Sequence, residues 1–167
     1  MSLIDDLRKL SSRSWLERGL FMESFMLLGV MRAAILLFPF RRITAIMGLA
    51  QGEMSSVGES AMSAKPAAIG WSIQAAAART PWESACLVQA LTGMVMLARR
   101  GLGATLYLGV AKDTSDPEAM IAHAWLRCGD TILTGAGGVE RFSKISSFSR
   151  ARTDGTRRQP NNDRTGP

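Results

Sequence analysis

The tripeptide Arg99-Arg100-Gly101 divides the chain into two grammars. Two cations at the negative end of a helix dipole, followed by a glycine able to take the left-handed C-cap conformation, stop a helix there. Before this point the apolar residues recur at helical spacing; after it they read as short strands. A helix is expected from about Ser14 to Phe38, with Leu16, Leu20, Leu27, Met31 and Ala34 on the apolar side and Glu23 exposed. Pro39 ends it, and Phe40–Gly48 makes a short second helix closed by Gly48. Residues 51–65 are a Ser/Gly-rich loop, and Ala67–Arg79 is an Ala-rich helix. The helix that ends at Arg99 has two possible starts. Thr80-Pro81-Trp82-Glu83 fits a capping box, and Ser84 is the other N-cap candidate.

Strands are expected over Ala104–Ala111 and Ile121–Cys128. Gly129-Asp130 is a tight turn into Ile132–Gly135, and Arg141–Phe148 is a last strand. Helices first and an antiparallel meander second define an α+β fold, with a helical N-terminal half packed on a small antiparallel sheet.

The length of 167 residues suits one domain. We place it at 1–148, with 1–65 as a helical extension and loop. The chain carries 20 Lys plus Arg against 14 Asp plus Glu, a net charge of +6. Half of that surplus falls in 149–167, where Arg150, Arg152, Arg157, Arg158 and Arg164 face Asp154 and Asp163. That segment has too little apolar surface to offset its ordering entropy and is expected to be a disordered basic tail. The remaining charge is too modest for a dedicated nucleic-acid binder. Acidic residues at Asp5 and Asp6 speak against a secretory signal. Glu23 and Arg32 interrupt the apolar run 20–40, so a buried helix is expected rather than a membrane span, in a cytoplasmic protein. Two cysteines make no disulfide framework, and one histidine excludes a site needing two imidazoles; no metal or other cofactor is expected.

Scarcity narrows the chemistry. Strand alternation puts His123, Trp125 and Arg127 on one face and sends Cys128 to the other. A Cys–His pair, if the chain has one, therefore joins Cys86 to His123. A thiol near a helix start is favoured as thiolate, and an imidazole can accept its proton. A small buried core residue is the structural alternative for Cys86, as a hydrogen-bonded imidazole is for His123.

The blocks TPWESACLVQAL (80–91), RRGLGATLYLGV (99–110) and AHAWL (122–126) resemble the lasso peptide maturation B proteins. LFPFRR (37–42), GDTILTG (129–135) and ERF (140–142) add to the likeness, which covers roughly residues 30–148. These are microcin-processing, transglutaminase-like leader peptidases with a papain/transglutaminase-type Cys-His-Asp site. The resemblance implies a cysteine endopeptidase that removes the leader from a ribosomally made precursor, before a separate macrolactam synthetase closes the ring. Cys86 is then the nucleophile and His123 the base. N–H groups at the start of the Cys86 helix hold the oxyanion, which favours the Ser84 start, and Gln89 is a second oxyanion candidate. Trp125, beside His123, is a candidate for the substrate groove.

The third member of the triad is open. With Gly129-Asp130 as a two-residue turn, His123 faces Ala136 and Trp125 faces Thr134. Asp130 then lies roughly 20 Å along the strand from His123, too far for a hydrogen bond. Thr134-Gly135 stands where the family often has its aspartate, so Asp130 on a longer loop, Thr134, or a backbone carbonyl are the choices. Family members often carry a leader-recognition domain built on early strands. The first 65 residues show none, so a separate leader-recognition protein is expected to supply the precursor peptide. A non-catalytic interaction module on the same fold is the alternative. The glycine run GAGG (135–138) opens no clear helix and has no following Lys-Ser/Thr, so it is not a nucleotide loop.

Overall fold

The computed structural model describes residues 15–53, 64–116 and 118–150. In chain order it contains α1 (Trp15–Leu37), α2 (Phe40–Ile46), β1 (Ala50–Gln51), α3 (Ala64–Ala77), α4 (Cys86–Ala98), β2 (Ala104–Lys112), β3 (Met120–Cys128), β4 (Thr131–Thr134), a 3-10 turn (Val139–Arg141) and β5 (Ser143–Arg150). The fold is α+β. The expected tail from 151 onward, and 54–63 of the expected loop, lie outside the described residues. Ser149 and Arg150, assigned to the tail from sequence, belong to β5 instead, and Gln51 belongs to β1.

Gly101 takes φ +68° and turns the chain from α4 into β2, as its position after two arginines requires. Arg100 also donates from Nη1 to the Met96 carbonyl at 2.9 Å, satisfying one of the last free acceptors of α4. Both cations reach α1: Arg99 and Arg100 clasp Glu23 at 3.1 and 2.6 Å. Glu23 is therefore half-buried under two guanidinium groups, not exposed on a solvated face.

The sheet order is β1-β5-β2-β3-β4, antiparallel at every pairing. β2, β3 and β4 form the expected meander, but β5 does not continue it. The chain crosses the end of the sheet and β5 pairs with β2, with Leu106 opposite Phe148. The short β1 then covers part of the far edge of β5.

Helices α3 and α4 pack on one face of the sheet, and α1 packs on those two helices. Leu28, Leu91, Leu97, Leu106 and Leu126 are fully buried between the layers. Gly93 of α4 sits so close to β3 that an added Cβ would lie 2.4 Å from Leu126 Cδ2. Gly70 of α3 does the same at the sheet edge, 2.9 Å from the Leu133 carbonyl oxygen, and Gln74 Nε2 donates to that oxygen at 3.1 Å. α3 thus closes the open side of β4. A buried hydroxyl bridge, Ser24 to Ser72 at 2.9 Å, ties α1 to α3.

α1 is apolar nearly all round but buries only one side, through Leu20, Phe21, Ser24 and Leu28. It is long and apolar enough, by length and composition, to cross a membrane, with 22% of its apolar window buried. The expectation of a buried core helix holds only along that one side.

Candidate active site

Cys86 is the first residue of α4. The segment before it is tied down by its own hydroxyl groups. Thr80 Oγ1 lies 3.0 Å from the carbonyls of Ala77 and Trp82 and 2.8 Å from Ser84 Oγ. One hydroxyl carries one hydrogen, so Thr80 donates to one carbonyl and accepts from Ser84. The Ser84 side chain is therefore spent on Thr80, and neither expected cap forms. Ala85, at φ −57° and ψ 162°, leads extended into the helix without a capping side chain. The first intrahelical bond runs from Gln89 N–H to the Ala85 carbonyl at 3.1 Å. The N–H groups of Cys86, Leu87 and Val88 consequently have no acceptor among the described residues. They stand at the positive end of α4 beside a half-buried thiol. Gln89, a candidate oxyanion donor by sequence, points its amide at the Ser84 carbonyl at 2.8 Å. It braces the loop ahead of Cys86.

His123 sits mid-strand in β3, opposite Gly109 of β2. Its Nε2 lies 2.9 Å from the Gly135 carbonyl oxygen. A carbonyl only accepts, so Nε2 carries a proton, and in the neutral ring Nδ1 then holds the lone pair that a general base needs. The ring is held by aromatic neighbours, with Phe142 at 4.8 Å and Trp125 at 6.2 Å between centroids. Glycines make this arrangement possible. Gly135 takes φ +73°, and a Cβ there would fall 2.4 Å from the Ala124 carbonyl oxygen. A Cβ on Gly109 would meet the Trp125 ring at 2.8 Å.

The register explains why the acceptor is Gly135. Cys128 pairs with Thr131 and Arg127 with Ile132, as a Gly129-Asp130 turn demands, but the ladder then slips, and Leu126 pairs with Thr134. The extra residue, Leu133, forms a bulge. The expected pairing of Trp125 with Thr134 is therefore displaced by one residue.

Asp130 does not reach His123. It is 87% exposed at the hairpin tip, where its carboxylate accepts from Arg127 Nη2 at 2.9 Å. Arg127 also donates from Nε to the Gly129 carbonyl. Asp130 as the third catalytic member is thus corrected: the two-residue turn fixes it at the far end of the hairpin. Thr134, its rival, is fully buried, and its Oγ1 has no hydrogen-bond partner. Of the sequence alternatives, the backbone carbonyl is the one that meets the imidazole.

The two principal candidates are not joined. The Cys86 side chain packs against the interior cluster that includes Ala124, Leu126 and Cys128. His123 leaves β3 on the outer face with Trp125 and Arg127. No hydrogen bond links the Cys86 thiol to His123 in the structure. Cys128 is buried in the interior, and burial pushes its thiol pKa up. Trp125 stacks on Tyr107 at 5.5 Å and lines an open groove of about 430 Å³ on the outer face. Arg127, Ile132, Val139 and Lys144 complete most of its wall. No group of three or more His, Cys, Asp and Glu side chains gathers among the described residues.

Cys86 opens a helix that packs through Gly93 on β3, the strand that carries His123, within a five-stranded antiparallel sheet. Residues 31–147 match the family model of the transglutaminase-like superfamily, and the chain belongs to that superfamily. No curated protein and no solved structure matches the chain.

Proposed function

We propose that this protein is a cysteine peptidase that removes the leader from a lasso peptide precursor. Cys86 carries the reading, as the first residue of α4 beside three N–H groups without acceptors. In the reaction proposed, Cys86 Sγ attacks the scissile carbonyl and the new C–S bond opens a tetrahedral oxyanion. The free N–H groups of the helix start receive that charge. His123 Nδ1 takes the thiol proton and returns it to the leaving amine as the C–N bond breaks. Water then hydrolyses the thioester. Gly135 keeps the imidazole in the required tautomer, in the place of the family's aspartate.

Catalysis requires Cys86 and His123 to meet. Because the thiol packs on the inner side of the sheet and the imidazole leaves the outer face, substrate binding must rearrange the site rather than only tighten it. A separate leader-recognition protein delivering the precursor would supply both proximity and closure. The macrolactam synthetase would act on the released core peptide. Mass spectrometry of the precursor, mixed with this protein and the partner, tests the reading. Cys86→Ala and His123→Ala should each abolish leader removal while leaving the fold intact. Rapid specific cleavage by this chain alone would remove the need for the partner.

The second reading is a non-catalytic module that retains the superfamily fold. It is favoured by the separation of the Cys86 thiol from an imidazole on the outer face. Leader removal that survives both substitutions would establish it.

A further inference from the structure

One side of α1 is committed to the interior, and its opposite side is a stripe without a single charge. Trp15, Met22, Met26, Val30 and Leu37 follow one another at helical spacing and are 87%, 54%, 63%, 54% and 74% exposed. Glu17, Arg18, Glu23 and Arg32 all fall outside this arc. At the C-terminal end Pro39 turns the chain, and Leu36, Leu37, Phe38 and Ile46 of α2 form an exposed apolar corner. An apolar surface this long and continuous marks a docking site on a folded protein.

The border of the stripe is cationic. Arg41 and Arg42 are exposed beside Ile46 and form no ion pair among the described residues. The Arg18 guanidinium lies 5.5 Å over the Trp15 ring at the other end. Along one flank, Arg99 and Arg100 more than neutralise Glu23. A second copy of this chain, docked about a two-fold axis, would set the arginine border against itself. An anionic bilayer pairs with it. The helix cannot cross that bilayer and keep this fold, because its other side is packed on α3 and α4 and pinned by the Ser24–Ser72 bridge.

We infer that the outer face of α1, with the Leu36–Phe38 corner and Arg41–Arg42, seats this protein on an anionic membrane surface, with α1 lying in its plane. Apolar side chains then enter the acyl boundary while the arginines meet headgroup phosphates. The seat lies close to the candidate active site. Gly29 of α1 packs against Trp82, in the loop that leads into Cys86, at 3.2 Å from its added Cβ position.

Co-sedimentation of the full chain with vesicles of phosphatidylglycerol and phosphatidylcholine in equal parts tests the inference. Binding is expected to these vesicles, to weaken as salt rises, and to be slight on phosphatidylcholine alone. Met26→Glu with Val30→Glu should lower vesicle affinity by about tenfold or more, because two charges enter the acyl boundary. Arg41→Gln with Arg42→Gln should lower it about 25-fold on anionic vesicles, at about fivefold for each arginine. Both pairs lie on the surface, and an unchanged thermal transition confirms that each variant folds. Should the glutamate pair unfold, the glutamine pair decides alone. Three results overturn the inference. One is undiminished binding in both variants, which would assign attachment to the arginines after residue 150. The second is equal binding to phosphatidylcholine alone. The third is a concentration-dependent dimer, lost in the Met26/Val30 variant, from a chain that binds no vesicle.

Discussion

His123 donates its Nε2 proton to the main-chain carbonyl of Gly135, 2.9 Å away and one residue past the end of β4. A peptide dipole thus does the orienting that a carboxylate does elsewhere, and it does so without a full charge. Gly135 is placed there by a positive φ that only glycine adopts without strain. Gly135→Ala should cost roughly 1–3 kcal/mol of stability through backbone strain, before counting the clash with the Ala124 carbonyl. It should also displace the acceptor. Urea unfolding checks the first effect. Nitrogen-15 shifts of the imidazole check the second, because the population protonated at Nε2 alone should fall.

The two thiols differ in surroundings, and alkylation should separate them. Cys86 is half-buried at a helix start, while Cys128 is buried with its thiol pushed up by desolvation. Iodoacetamide at mildly alkaline pH is expected to label Cys86 first, located by peptide mapping. In Cys86→Ala the native protein should take up almost no label until it is unfolded. Equal labelling of both cysteines would contradict the burial of β3's inner face.

Gly93→Ala probes the contact between α4 and the sheet. The new methyl would lie 2.4 Å from Leu126 Cδ2 and 3.3 Å from Ile73 Cδ1, so side chains must move aside. Overpacking of this kind costs about 1–3 kcal/mol. Leu126→Val removes the offending methyl, so the penalty for Gly93→Ala should shrink in that background. A double-mutant cycle by chemical denaturation measures the coupling.

Glu53 and Lys144 pair where β1 leads away from β5. The hydrogen bond from Lys144 holds the Glu53 carboxyl below its ordinary value. Its contribution is therefore complete above the usual carboxylate range and fades as pH falls through the lowered folded-state pKa. Lys144→Gln should move the Glu53 titration back up. Carbon-13 shifts of its carboxyl, followed against pH, give the direct reading.

Much of this architecture is local and so could be read locally. Arg99-Arg100-Gly101 stops α4, the Gly129-Asp130 turn sets the start of the β3–β4 register, and alternation places His123, Trp125 and Arg127 together. What failed was non-local. Pairing of β5 with β2 leaves no mark within β5 itself. The Leu133 bulge defeats hairpin arithmetic because counting assumes a regular ladder. Ser84 has the composition of a cap, but Thr80 takes its hydroxyl in competition. Sequence could name Cys86 and His123 as partners. It could not tell which side of the sheet α4 would cover, and that decides whether the two side chains meet.

The strand order has a consequence for how the molecule comes into being. β5 is the last strand made among the described residues, yet it lies inside the sheet, with Ala50 opposite Ser149 on one side and Leu106 opposite Phe148 on the other. On a ribosome, α1 to α4 and the β2–β4 hairpins can gather as they emerge, but β2 waits with a bare edge and β1 has nothing to pair with. Closing loops this long is slow compared with helix or hairpin formation. The nascent chain is thus most exposed to misassociation just before β5 arrives, and a chain stopped short of Ser143 would remain in that condition.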